Sequence, residues 1–90
     1  MSIPTYEFTF LLNEEEELKK IKELITSLNG KINQEESWGK KTLAFPIKKN
    51  RSASFYQWII ELAKPQIKEF KEKLNFNTKI IRYLILRHEL

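Results

Sequence analysis

Between residues 6 and 12 the chain alternates. Tyr6, Phe8, Phe10 and Leu12 fall on one face, and Glu7, Thr9 and Leu11 on the other. A two-residue period of this kind belongs to a half-buried strand with its aromatic face inward. The period then changes. From 15 to 28, Leu18, Ile21, Leu24, Ile25 and Leu28 recur at three- and four-residue spacings, which predicts an amphipathic helix. Asn13 is placed to cap it. Glu14–Glu17 occupy its first turn, where the positive end of the helix dipole favours carboxylates. That accounts for the acidic run without a metal, since neighbouring helical positions point in different directions. Asn29-Gly30 supplies a left-handed stop.

A second strand begins near Lys31, and its apolar positions change parity: Ile32 is even, whereas Leu43, Phe45 and Ile47 are odd. All four are read as inward, which a regular strand cannot achieve, because side chains alternate strictly. One extra residue near Gly39 restores the pattern, so a bulge is expected there. Lys48–Ser52 reads as a polar turn. Residues 53–62 form a third strand, with Tyr56, Trp58, Ile60 and Leu62 on one face and Phe55, Gln57, Ile59 and Glu61 on the other. Pro65 fits the first turn of a second helix, whose stripe is Ile67, Phe70 and Leu74. Asn75-Phe76-Asn77 ends it. A fourth strand over Ile80–Leu86 is apolar on both faces except for Arg82.

The resulting order, β-α-β-β-α-β, specifies an α+β ferredoxin-like fold. Two right-handed crossover units give a four-stranded antiparallel sheet of order 4-1-3-2, with both helices on one face. The second strand is then an edge, where Pro46 removes no ladder donor from a central position. Residues 1–90 are expected to form a single domain.

Composition narrows the function. With 41% hydrophobic residues, eleven of them aromatic, there is enough apolar bulk for one modest core. The chain has no cysteine, so neither a disulfide nor a thiolate metal site is available. No stretch approaches the ~18 apolar residues of a membrane span. Met1-Ser2-Ile3-Pro4-Thr5 lacks the features of a secretory signal, and a cytoplasmic location is expected. The net charge of +4 understates the basic character, because four of the twelve acids are the Glu14–Glu17 run and the rest of the chain sets 16 basic groups against 8 acidic ones. Such a balance favours a polyanionic partner, with nucleic acid ahead of a membrane surface.

Catalytic chemistry finds no foothold. His88 is the only histidine, and so near the C-terminus it reads as a frayed surface residue. No serine or threonine sits in a nucleophile motif. Gly30 and Gly39 are too far apart for a phosphate-cradling loop. No catalytic residue, metal site, cofactor or small-molecule substrate is expected. Rings on the first and third strands stack on bases in RNA-recognition motifs, but here they share one inward pattern, and residues 53–60 lack the basic-glycine-aromatic signature. Phe55 and Ile59 are expected on the open side of the sheet.

The most specific segment is Trp38-Gly39-Lys40-Lys41-Thr42-Leu43-Ala44-Phe45-Pro46-Ile47. It resembles the W-G-K-R-x-L-A-Y-P-I signature of the bacterial small-subunit ribosomal protein six family. Tyr6-Glu7, Phe55-Tyr56 and Ile81-Arg82 extend the likeness over nearly the whole chain. Phe45 stands where tyrosine is usual, and Ser2-Ile3 where basic residues are often found. The resemblance implies a structural constituent of the small ribosomal subunit without catalytic activity. Its implied partners are the central domain of 16S ribosomal RNA and small-subunit ribosomal protein eighteen. From 38 to 52 there are five basic side chains and no acidic one, so Lys40, Lys41, Lys48, Lys49 and Arg51 are the expected phosphate contacts, with Arg82 and Arg87 as a second group. Leu43, Ala44, Phe45 and Pro46 form the expected protein-partner surface, since an uncovered edge strand invites pairing. Two rivals stand beside this reading. One is a ferredoxin-like regulatory module that binds a metabolite and dimerises through sheet edges. The other is a small acyl-phosphate hydrolase, although the glycine-rich loop and catalytic arginine of acylphosphatases are missing.

Overall fold

The aromatic alternation of the first strand builds the core. In the computed structural model, which describes residues 3–47 and 49–88, β1 (Thr5–Leu12) is followed by α1 (Glu16–Ser27), β2 (Lys31–Ile47), β3 (Asn50–Glu61), α2 (Lys64–Phe76) and β4 (Ile80–His88). The sheet runs β2-β3-β1-β4, all antiparallel, which is the 4-1-3-2 order read from its other edge. Phe8, Phe10, Trp58 and Ile60 meet Ile21 and Ile25 of α1 and Phe70 and Leu74 of α2 in one buried cluster. Both helices therefore cover the same face. Some rings meet edge to face, Phe10 against Trp58 at 4.9 Å and Phe8 against Phe70 at 5.2 Å, while Phe10 also stacks on Phe8 and Tyr56; each such pair adds about 1 kcal/mol beyond area burial.

The start of α1 differs from the sequence reading. Asn13 does not cap the helix; its Nδ2 donates to Oδ1 of Asn50, 2.7 Å away. Glu14 and Glu15 are taken up by a tight turn in which Glu17 N–H and Leu18 N–H reach their carbonyls, and the N-cap position falls on Glu15, without a side-chain cap. Glu16 and Glu17 still sit in the first turn, against the dipole. Glu17 is buried. It accepts from Asn77 Nδ2 at 3.2 Å and pairs with Lys20 at 3.3 Å, tying the start of α1 to the end of α2.

The exit of α1 divides two jobs between two residues. Asn29 is the left-handed one, with φ 61°. Gly30 N–H returns to Ile25 O and Asn29 N–H to Thr26 O, the paired bonds of a Schellman closure. Gly30 serves close packing instead, because a Cβ there would lie 2.5 Å from Leu62 Cδ2 and 2.8 Å from Glu61 O.

β2 is bulged near Gly39, as expected, but the four apolar residues that suggested it do not all face the core. The register of β2 on β3 slips between Ser37 and Gly39, and also between Ile32 and Gln34. Two single-residue bulges cancel in parity. Leu43 therefore lies on the face away from the helices, packed with Leu11, Ala53, Ile81 and Phe55. Gly39 has φ +78° and open space around its Cα, so the backbone conformation selects glycine there. Beyond Thr42 the ladder resumes only at Ile47↔Asn50, leaving Arg51 alone opposite the arched segment Leu43–Pro46. The polar turn is accordingly shorter than the 48–52 read from sequence, with Arg51 and Ser52 in β3.

β4 runs on to His88, which is not frayed. Thr5 Oγ1 donates to His88 O at 3.0 Å, and His88 Nδ1 lies 3.3 Å from Glu7 Oε1. Strand pairing with Thr5 holds this residue in the sheet.

Candidate nucleic-acid interface

The uncovered face of the sheet is set by the same alternation that builds the core. Residues opposite one another across the ladders point the same way, so Gly39, Phe55, Leu11 and Arg82 form one row across all four strands. Beside it runs the row Glu36, Gln57, Thr9 and Leu84, and then Gln34, Ile59, Glu7 and Leu86. On the other side lie Lys41 and Ala53, followed by Leu43 and Arg51. One end of the open face is therefore carboxylate- and amide-rich and the other cationic, with apolar groups between. Phe55 and Ile59 both belong to it, half-buried.

Trp38 is the extra residue of the Gly39 bulge. Its ring lies flat on Phe55, with centroids 5.2 Å apart and an interplanar angle of 6°. Indole Nε1–H donates to Glu36 Oε2 at 3.1 Å, which fixes the ring's orientation. About half of Trp38 remains solvent-accessible, at 48%. Beside Phe55 the face dips into a depression of about 430 Å³ lined by Leu11, Thr9, Leu84 and Arg82 among others. The motif drew attention to Trp38, but its partner could not be read from sequence, because the pairing depends on a register that two bulges displace.

The sequence-selected cations are only partly brought together. Lys40 and Lys41 face Ser54 and Ala53 of β3. As adjacent strand residues they project to opposite faces, Lys41 to the open one. Lys49 occupies the β2–β3 turn with φ 68°, and Lys48 lies outside the described residues. Arg51 shares the open face with Lys41. Arg82 shares it too, but on the far edge strand. Arg87 is on the helix side of β4, its guanidinium 5.8 Å from the Tyr6 ring centroid, and is separated from the others by both face and position. Among the described residues no carboxylate lies within ion-pair distance of Lys40, Lys41, Lys49, Arg51 or Arg82, whereas Lys20, Lys22 and Lys79 are each paired. In the partner segment, Phe45 is 81% exposed, Ala44 and Pro46 are exposed, and Leu43 is half-buried.

Among the described residues no group of three His, Cys, Asp or Glu side chains could hold a metal ion, and no helix is long and apolar enough to cross a membrane.

Comparison with known proteins agrees with this geometry. The family model for ribosomal protein S6 matches residues 5–87. Small ribosomal subunit protein bS6 of Ruthia magnifica subsp. Calyptogena magnifica is 33% identical over 90 residues, spanning 93% of this chain and 80% of that protein. The bS6 protein of Vesicomyosocius okutanii subsp. Calyptogena okutanii is 34% identical over 87 residues, spanning 90% and 77%. The crystal structure of 30S ribosomal protein S6 from Thermotoga maritima covers 97% of this chain and 89% of its own, with a TM-score of 0.85 at 23% identity, and so has the same fold. Signature segment, strand order and family match converge: the chain belongs to the ribosomal protein S6 family.

Proposed function

We propose that this protein, as one ferredoxin-like domain, is a structural, non-catalytic constituent of the bacterial small ribosomal subunit, cytoplasmic as part of the ribosome. In this reading it binds the central domain of 16S ribosomal RNA together with small-subunit protein eighteen. The observation that carries it is the β2–β3 hairpin. There, cations without a described carboxylate partner stand beside an arched apolar segment on an edge strand. Unneutralised side chains of one sign, gathered on one hairpin, suit the regularly spaced phosphates of an RNA backbone. Lys40 and Lys41, projecting to the two faces of the edge, allow contact along the rim of the sheet. The exposed Phe45 and its neighbours offer a protein partner an apolar anchor in reach of the same RNA.

The test is affinity for central-domain RNA in the presence of the partner protein, measured across several salt concentrations. Lys40→Ala combined with Lys41→Ala lowers affinity and reduces the salt slope by roughly one unit for each phosphate no longer neutralised. Phe45→Asp leaves the fold intact, since its ring is 81% exposed, and weakens the heterodimer. Wild-type affinity and slope in the double mutant would remove these lysines from the interface.

A further inference from the structure

The open face holds a feature that the hairpin reading leaves unused. Trp38 and Phe55 form a two-ring platform across β2 and β3, on a sheet face that no helix covers. We infer that this platform is a stacking site for an unpaired nucleotide base, so that a single-stranded segment of RNA crosses the open face from the hairpin cations towards Arg82. The inference rests on the RNA-binding reading above and extends it from phosphates to bases.

Three observations support it. The first is ring geometry. Trp38 lies within 6° of parallel to Phe55 and is anchored through Nε1 to Glu36, so one indole face is spent on Phe55 and the ring's orientation is fixed. A base laid on a pre-oriented ring costs little side-chain entropy, and every base has a π-face to offer. The second is backbone design. At the bulge it is Gly39, with left-handed φ and no side chain, that takes the ladder position opposite Phe55, which leaves the space over Phe55 to the ring of the bulged residue Trp38. The third is charge. Lys41 and Arg51 lie on the same face on one side of the platform, and Arg82 ends the platform's own row. None of the three has a described carboxylate partner. The depression between Phe55 and Arg82, floored by Leu11 and walled by Leu84, continues the track across the sheet. A strand of RNA on this path meets cation, ring, apolar floor and cation in turn, the sequence of environments that its alternation of phosphate and base requires. Glu36 and Gln57, in the neighbouring row, border the platform with acceptors and an amide suited to base edges rather than phosphates.

Trp38 also provides the readout. The other tryptophan, Trp58, is 2% exposed in the core and contributes a constant background of emission. The intact chain is titrated with a single-stranded oligoribonucleotide of roughly ten nucleotides, alone and with the partner protein, following tryptophan emission and affinity together. The expected result is quenching of Trp38 on binding, a fall of roughly tenfold in affinity for Trp38→Ala, and near-wild-type affinity for Trp38→Phe, which keeps a stacking ring. Circular dichroism on both variants establishes that each is folded, and Trp38→Phe separates stacking from any change at the bulge. If RNA binds with an unchanged salt slope while Trp38 emission and the Trp38→Ala affinity stay at wild-type values, the platform is not a base site, though the phosphate reading stands. If the partner protein without RNA shifts Trp38 emission and blocks the oligonucleotide, a protein covers this face and the inference is overturned. If the wild type binds no RNA at all, hairpin and platform readings fall together.

Discussion

Strand β3 contributes equally to two surfaces that have opposite fates. Its even residues, Tyr56, Trp58 and Ile60, are sealed under α1 and α2. Its odd residues, Phe55, Gln57 and Ile59, lie on the face away from both helices. The residue types overlap, since each side has an aromatic ring and an isoleucine, so hydrophobicity does not distinguish the faces. What differs is packing. The buried rings meet several others, stacked in Phe8–Phe10 and Phe10–Tyr56 and edge to face where Trp58 meets Phe8 and Phe10, whereas Phe55 meets one ring, flat, from a neighbouring bulge. A core uses its aromatics for three-dimensional interlock. The open face holds its rings parallel and half-exposed, an arrangement that leaves a flat surface available.

The difference is testable by removing one ring from each side. Trp58→Ala should cost about 3–5 kcal/mol, a large share of the stability of a small domain. Phe55→Ala should cost about 1–2 kcal/mol, mostly its stacking and partial burial. Chemical denaturation of the two variants provides the comparison, and equal costs would mean that the open face is as much a core as the other. The two glycines probe the same contrast at backbone level. Gly30→Ala drives a Cβ against Leu62 and the Glu61 carbonyl under α1, for about 1–3 kcal/mol of overpacking. Gly39→Ala meets no atom and bears only the left-handed φ, about 1 kcal/mol. The melting temperature should fall further for Gly30→Ala, and the reverse order would locate the tighter constraint at the bulge. The smallest effect is expected from Leu84→Lys on β4, 55% exposed: a change within about 0.5 kcal/mol and an unaltered denaturant slope.

Much of the sealed face was legible in the sequence because alternation and helical stripes both report burial. Tyr6, Phe8, Phe10, Ile21, Ile25, Trp58, Phe70 and Leu74 all fall where their periodicity puts them. The open face was harder to read. Asn33, the residue of the first bulge, is a polar side chain in a polar stretch and gives no signal, yet it reverses the side on which Leu43 lies. Asn13 has the chemistry of a cap, but the chain uses it against Asn50 across a turn. Glu17 shows no sign in sequence of being the buried member of its acidic run, because its partner Asn77 is sixty residues away. His88 looked terminal when read along the chain and is held in place by its pairing with Thr5. In each case the missing information is a contact between distant segments. The cations of the hairpin, by contrast, were visible as a run, since adjacent residues report one another's charge whatever the register.

The pairing of Thr5 with His88 also sets a timetable. β1 is an interior strand, yet one of its neighbours consists of residues 80–88. At roughly 5–20 residues per second, a translating ribosome delivers β1 some 4 to 15 seconds before β4. Throughout that interval Phe8 and Phe10 belong to an unfinished sheet, and no local contact can substitute for the missing strand. Closing the loop between β1 and β4 becomes the last step rather than the first. The nascent protein must therefore stay unaggregated with its most deeply buried strand half-paired, and its fold becomes cooperative only as β4 is made.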